Sequence, residues 1–457
     1  MQKITQFRQQ FTSLTQGLLI LLILGLAVNI VQQFVFVNWS WWERSIIPFS
    51  IRMLKVFSMQ DNDSWGPMFK ALDYLQINND KLLYSSLFFE DKMKFQYPLT
   101  SLLPLLFLRK LIPQLENQRY VLNILSWLAV YFTIFLSIKV FNFNLADSFE
   151  QNSQISSRKD KIVRIFLLFC LGITFYPIIR AHSLGQFQVF INGLFTLSFW
   201  LWLNKKERLT GALVGLMILM KPQYLMLGIW GILRRKWYFV IATFTVVLTG
   251  LIISISLFGL ANHLDYLSVL NFLSKHGESY YPNQSINGLL NRLLFNGDNL
   301  KFEMNSFPQF NPIVYGGTLL TSCLLLLPAL VGFIAKQNRG SIIDFAIISL
   351  SLTIASPIAW EHHYGILFVI YAFILSSLLN HPVLGKKLFL YLGLCYLLTS
   401  NLLSFTKNLA TIPVMNILQS YLLFSALGVL GILYILANTY KKKQSIEVES
   451  QIGRVEN

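Results

Sequence analysis

The stretch KKERLTGALVGLMILMKPQYLMLGIWGILRRK, Lys205–Lys236, decides how this chain is organised. Its apolar core, Thr210–Leu233, has Lys221-Pro222 at the middle and a basic cluster at each end. Loops on the cytoplasmic side of a membrane carry an excess of Lys and Arg, so a single crossing would leave one cluster outside. We therefore predict a broken helical hairpin that enters the membrane, turns at Lys221-Pro222 and returns, with each half rising only about 16 Å.

The composition of the whole chain also indicates a membrane protein. Of its 457 residues, 54% are hydrophobic and 13% are charged, and the mean hydropathy is +0.54. Soluble domains carry about 25% charged residues, so this composition excludes a water-soluble enzyme, a disordered chain and a collagen-like chain. The net charge of +16 would suggest nucleic acid for a soluble protein. Here the basic residues cluster between apolar segments, so they indicate topology and not nucleic-acid binding.

Ten further segments reach the roughly 20 apolar residues that cross a hydrocarbon core. Alternation from the hairpin places both termini in the cytoplasm and two long loops, about 38–119 and 261–312, outside. We predict one all-α, polytopic transmembrane domain over residues 1–440 and a polar cytoplasmic tail over 441–457. The segment 97–113 is short and proline-rich, so we predict an interfacial helix. The ten predicted spans are 17–37, 120–141, 162–180, 184–203, 237–260, 313–336, 342–359, 363–380, 386–405 and 416–438.

The first outer loop contains a candidate general base in the run MQDNDSWGPMFKALDYL, residues 59–75. A carboxylate of Asp61 or Asp63 at a membrane interface could accept the proton of an incoming hydroxyl. The alternative is that Asp63 caps the helix predicted by the apolar spacing after it. Both interpretations remain open at this level.

Lys221 is a candidate anion ligand because a charge inside the bilayer costs about 2.5 to 3.5 kcal/mol and needs an anionic partner. The partner could be a carboxylate such as Asp344 or a bound phosphate group, and the surplus of nearby cations favours phosphate. The run RAHSLGQFQ, residues 180–188, adds Arg180 and Gln186 at the outer boundary. This polar cluster either caps a helix turn or forms the wall of a site.

Two further polar runs could contribute to a site. YYPNQSINGLLNRLL, residues 280–294, contains Arg292, and ASPIAWEHHYG, residues 355–365, contains Glu361, His362 and His363. Adjacent histidines point to different sides of a helix, so hydrogen bonding to a phosphate or a sugar fits them better than zinc ligation. The cysteines lack CxxC spacing, so we predict neither a disulfide nor a metal site; they are Cys170, Cys323 and Cys395.

The order of these motifs resembles glycosyltransferase family 87, over about residues 17 to 380. No single motif is diagnostic, but seven in order are fairly specific. The family's usual YPP reads YPL here, with Leu99 in place of the second Pro. The matching motifs are Asp63 before an aromatic helix, LLY at 82–84, FQYPL at 95–99, GQ at 185–186, GLMILMKPQ at 215–223 with RRKW after it, NQS at 283–285 and SPIAWEHH at 356–363.

The resemblance implies a GT-C membrane fold whose active site opens at the outer face. The family's general base, an Asp of the first outer loop, corresponds to Asp63, with Asp61 as the weaker candidate. The resemblance also implies one-step inverting transfer from a polyprenyl phosphate, without a metal or other cofactor. The remaining candidate ligands of the donor phosphate or sugar are Lys221, Arg180, His362, His363, Arg292, Gln186 and Glu361.

These observations lead to an expected function. We expect a plasma-membrane enzyme that moves mannose, or a pentose such as arabinose, from a polyprenyl phosphate to a glycan or lipid acceptor. Two alternatives remain: a transporter or flippase of a lipid-linked sugar, and a lipid-linked glycan polymerase or ligase of related architecture. A transporter would favour paired repeats with broken helices in both halves, whereas only one hairpin is broken here.

Overall fold

The structure is a computed structural model that describes residues 2–35, 62–77, 81–147, 158–378 and 382–455. Within these ranges the chain is helical and contains no β-strand, in agreement with the predicted all-α class; an isolated β-bridge pairs Asn283 with Trp360. The α-helices are α1 (Gln2–Val35), α2 (Trp65–Ile77), α3 (Leu103–Leu111), α4 (Leu115–Asp147), α5 (Arg158–Ile173), α6 (Tyr176–Ser183), α7 (Gln188–Leu203), α8 (Glu207–Met220), α9 (Leu225–Leu233), α10 (Trp237–Phe258), α11 (Leu260–His276), α12 (Ile286–Leu293), α13 (Pro312–Val331), α14 (Ile342–Ala355), α15 (Leu367–Leu378), α16 (Pro382–Thr399) and α17 (Tyr421–Val455).

Six helical segments are long and apolar enough to cross a membrane. Within the described part of the chain they lie in α1, α4, α10, α13 and α17 and in the continuous segment Glu361–Leu378, and α5 with α6, bent by 50°, is a seventh if the pair counts as one broken span. The other three predicted spans coincide with α7, α14 and α16, which contain shorter apolar helices. Length and composition therefore support six or seven spans, and the number ten stays a prediction.

The centre of the bundle is formed by α14 and α15. Almost every residue of both helices is buried. The chain between them, residues 356–366, carries the SPIAWEHH motif and includes a 3-10 turn, Glu361–Ile366. The SPIAWEHH motif therefore connects the C-terminal end of α14 to the N-terminal end of α15.

The segment predicted as interfacial forms a 3-10 turn, Leu99–Leu102, followed by α3. Pro104 lies in the first turn of α3, where a missing N–H group breaks no helical hydrogen bond. Phe107 and Leu111 are exposed next to basic residues in the last turn. An exposed apolar side beside basic side chains is typical of a helix that lies on a membrane surface.

The first arm of the hairpin, α8, packs along the helix that follows the hairpin. Gly211 touches the backbone of Phe239, and further along Leu219 touches Gly250. Residue numbers rise together in both helices, so α8 and α10 run in the same direction. Gly211 and Gly215 form a GxxxG pair, and small residues at this spacing let two helix backbones approach closely.

The second arm, α9, runs in the opposite direction. Gly231 lies beside Phe239, and Gly228 lies beside Phe244. Since α9 is antiparallel to α10 and α8 is parallel to it, the chain reverses at Lys221-Pro222. The two ends of the hairpin meet, and Lys236 Nζ donates to Glu207 Oε1 at 2.7 Å. The reversal predicted from the sequence is confirmed.

This arrangement predicts the accessibility of cysteines placed at the two ends of the hairpin. With the three native cysteines replaced by serine, Lys206→Cys and Arg235→Cys should react with a membrane-impermeant maleimide from the same side of a sealed vesicle. Met304→Cys, at an exposed residue of the second long loop, should react from the other side. Labelling of positions 206 and 235 from opposite sides would contradict a re-entrant hairpin.

Candidate active site

A cavity of about 970 Å³ brings together most of the residues predicted to form the site. Its wall comes from the start of α2, the segments before α3 and α7, the hairpin turn, the second long loop and the chain between α14 and α15. The predicted site residues that line it are Asp63, Arg180, Gln186, Lys221, Glu361, His362 and His363.

Asp63 is exposed just before α2 and is fixed by the GQ motif. Its backbone N–H donates to Leu184 O at 3.0 Å, and its carboxylate accepts a hydrogen bond from Gln186 Nε2. Gln186 Oε1 accepts from Ser64 Oγ at 2.8 Å and from Tyr97 Oη at 3.1 Å, so both ends of the amide are fixed. The carboxylate is thus held at the cavity by a positioned hydrogen-bond network.

Lys221 projects into the cavity from the hairpin turn without a carboxylate partner among the residues described. Its Nζ lies 2.7 Å from both Gln188 Oε1 and His363 Nε2, and none of the ion pairs in the described ranges includes it. Asp344, the carboxylate that the sequence offered as a partner, pairs instead with Arg234 at 2.6 Å. The alternative that Lys221 forms a salt bridge with Asp344 was therefore wrong.

The two histidines lie side by side at the cavity wall, with ring centroids 4.9 Å apart. The hydrogen bond between Lys221 Nζ and His363 Nε2 can form in either direction, depending on the protonation of the amine and the tautomer of the ring. Within the described ranges His363 Nδ1 and His362 Nε2 have no hydrogen-bond partner. Each ring therefore has one buried nitrogen whose hydrogen-bonding capacity is not used within the described residues.

The NQS motif supports the chain that carries these histidines. Asn283 Oδ1 accepts from Ala359 N at 2.9 Å, and Asn283 Nδ2 donates to Pro357 O at 3.2 Å. Ser285 Oγ donates to Pro357 O at 2.8 Å and accepts from Gly288 N at the start of α12. The motif thus positions residues of the site without lining the cavity.

Arg180 and Glu361 provide opposite charges at another part of the wall. The two side chains interact electrostatically. Glu361 Oε2 also accepts from Tyr176 Oη at 2.7 Å. This carboxylate has a cationic and a hydroxyl partner, which suits a group that orients a ligand.

Arg292 is not brought to the cavity. It is buried in α12, where its guanidinium donates to Asn283 O at 2.9 Å and to Ser420 Oγ at 2.7 Å. Burial lowers the pKa of this group, and Glu361 opposes the shift. In this structure Arg292 supports the second long loop and does not line the cavity, so its role as a donor ligand stays a prediction. Asp61 lies outside the described residues.

Sequence reasoning missed Tyr97 and Lys94 as residues of the wall. Tyr97, in the FQYPL motif, begins the segment that was predicted only as an interfacial helix, but its hydroxyl lies 2.7 Å from Ser64 Oγ in the Asp63 network; burial raises its pKa. Lys94 forms an ion pair with Glu278 at 2.8 Å. Burial lowers the pKa of Lys94 and raises that of Glu278, and each charge opposes the shift of the other. Lys94 and Glu278 are far apart in the sequence, so no motif spacing indicates that they are in contact.

Comparison with known proteins identifies the family. A family model described as glycosyltransferase family 87 matches residues 95–357, more than half of the chain. The match includes Arg180, Gln186 and Lys221 but not Asp63 or the histidine pair. Searches of curated proteins and of solved structures found no match. With its long apolar helices, which indicate an integral membrane protein, the chain belongs to glycosyltransferase family 87.

Proposed function

We propose that this enzyme transfers a sugar, mannose in the first instance, from a polyprenyl phosphate to a hydroxyl group of a glycan or lipid acceptor. Asp63 acts as the general base, and the transfer inverts the anomeric centre in one step. The reaction takes place at the outer face of the plasma membrane, with both termini in the cytoplasm. Family membership supports a transferase over a transporter or flippase.

The observation that carries this proposal is that Asp63 and Lys221 line the same cavity. Their surroundings differ, because Asp63 is exposed whereas Lys221 contacts Gln188 and His363. Transfer from a lipid phosphate has a good leaving group, so it needs one base for the acceptor and donors for the departing phosphate. Asp63 is exposed and meets the first need. Lys221, His362 and His363 meet the second, because an ammonium without a carboxylate partner leaves its charge for a bound anion.

The cavity wall around the hairpin turn also suits a lipid-linked donor. Apolar side chains of the hairpin, α13 and α14 line this part of the wall, so a polyprenyl chain could lie against them while its phosphate meets Lys221. They are Met220, Met226, Leu326, Leu352 and Ala355.

A transfer assay tests the proposal directly. Purified protein should form product from radiolabelled polyprenyl-phosphate mannose with membrane extracts as the source of acceptor. GDP-mannose should give no product under the same conditions. NMR of the product should show the anomeric configuration opposite to that of the donor. Transfer from GDP-mannose, or retention of configuration, would overturn the proposed donor or mechanism, and transfer from the arabinose-carrying lipid alone would replace mannose by arabinose.

A further inference from the structure

Three aromatic side chains that the proposed mechanism does not use meet in the cavity wall. Ring centroids are 5.7 Å apart for Tyr280 and Phe302, 5.9 Å for Phe302 and Trp360, and 6.4 Å for Tyr280 and Trp360. All three residues line the cavity and are half-buried. We call them the aromatic platform. Aromatic rings left open to a cavity offer flat apolar faces to a ligand.

Neighbouring residues hold two members of the platform in place. Lys94 Nζ lies 4.4 Å from the centroid of Phe302 and 4.1 Å from that of Phe307, while its charge is paired with Glu278. Such cation–π contacts fix both the ring and the amine. Trp360 is fixed by its β-bridge to Asn283. A rigid platform loses little conformational freedom when a ligand binds, which favours binding.

Polar groups of the kind that bind sugar hydroxyls stand next to the platform. Glu361 follows Trp360 in the chain, and Arg180 interacts electrostatically with both Glu361 and Tyr280. A pyranose ring has one face rich in C–H groups and hydroxyl groups around its edge. An aromatic face with a carboxylate and a guanidinium beside it is complementary to that shape and polarity.

The platform and the part of the wall that suits the donor lipid are built from different elements of the chain. Two platform residues, Tyr280 and Phe302, come from the second long loop, whose Met304 is 72% exposed and lines the same cavity. The apolar residues around Lys221 come from the hairpin, α13 and α14. Tyr280 and Phe302 thus come from a different part of the chain than the apolar residues around Lys221, while Trp360 lies two residues before His362 in the chain between α14 and α15.

We propose that Tyr280, Phe302 and Trp360 form the acceptor subsite and stack against a hexose ring, so the enzyme acts on an acceptor that already carries a sugar. This inference rests on the proposed function and specifies its acceptor class. It distinguishes a glycan or glycolipid acceptor from a lipid alcohol without sugar.

Substitutions of Trp360 test the subsite with hexyl α-D-mannopyranoside and hexanol as acceptor probes. Trp360→Leu should raise the KM for the mannoside roughly tenfold, because an aromatic stacking contact is removed. The KM for polyprenyl-phosphate mannose should stay within about twofold. Trp360→Phe should restore most of the loss, since it keeps a ring. Phe302→Leu provides a second variant should Trp360→Leu fold poorly, and Trp237→Leu, at an exposed residue outside the cavity, is the matched control.

Binding of the mannoside, measured by calorimetry in the Asp63→Asn background, separates this inference from the proposed function. Weaker binding to the Trp360→Leu variant supports the subsite even if wild-type protein transfers nothing from polyprenyl-phosphate mannose. The inference is overturned by equal binding to both proteins, by equal use of hexanol and the mannoside, or by a Trp360→Leu effect on the donor KM alone. That last result would assign the platform to the donor sugar.

Discussion

Asp63→Asn should reduce the turnover number of sugar transfer by about 10²- to 10⁴-fold, the usual contribution of a positioned general base. Asparagine keeps the size of the side chain and an oxygen that can accept from Gln186 Nε2, but it cannot take a proton from the acceptor hydroxyl. The KM for the donor should change little, because the phosphate is bound by other residues. Single-turnover transfer of radiolabelled mannose measures the chemical step.

The matched control is Asp73→Asn, in the helix α2 that follows Asp63. Asp73 forms an ion pair with Arg109 at 2.7 Å, its side chain is 56% exposed, and it does not line the cavity. Exposed ion pairs contribute only about 0 to 1 kcal/mol, so this variant should fold and transfer like the wild type. A wild-type rate for Asp63→Asn would remove Asp63 from the catalytic role, and equal losses in both variants would indicate damage to α2.

Lys221→Met should reduce kcat/KM for the lipid-linked donor by about 10- to 100-fold. The change removes a cation that would form charge-assisted hydrogen bonds to the phosphate, each worth about 1.5 to 3 kcal/mol. Methionine has nearly the same shape and fits an apolar neighbourhood that includes Met220 and Met226. Titration of transfer rate against donor concentration gives the effect.

Thermal unfolding distinguishes this role of Lys221 from a structural one. A lysine at membrane depth without a carboxylate partner destabilises the free protein, so Lys221→Met should unfold at the same or a higher temperature than the wild type. If the lysine instead supports the fold through Gln188 and His363, the unfolding temperature should fall together with activity. Lys275→Met, an exposed lysine near the end of α11, should change neither quantity.

The helical class and the hairpin were predictable because they depend on local features of the chain. Apolar length, the position of Lys221-Pro222 and the two basic clusters lie within one short stretch, and the structure reverses at that point. The number of membrane spans is harder to predict from the sequence, because helices such as α7 and α14 are shorter than the length usually needed to cross a membrane.

The site was predictable only in part, because partners depend on tertiary packing. Asp344 lies in the first turn of α14, next to the ends of the hairpin, so it meets Arg234 and not the cation at the turn. A cation in a polar loop gives no signal of whether it faces a cavity or binds main-chain carbonyls, as Arg292 does. The platform residues are separated by long stretches of chain, which spacing cannot connect.

Glycine packing between α8 and α10 also limits which parts of the enzyme can rearrange. At Gly211 and Gly215 the backbone of α8 lies against backbone atoms of Phe239 and Thr243, and such direct packing resists sliding of one helix along the other. We therefore expect the hairpin and the following helix, α10, to move as one rigid unit. Lys221, at the turn of the hairpin, should then keep its position relative to this unit. If the proposed lipid-linked donor enters through an opening of the cavity, we expect the wall opposite α8 and α10 to move.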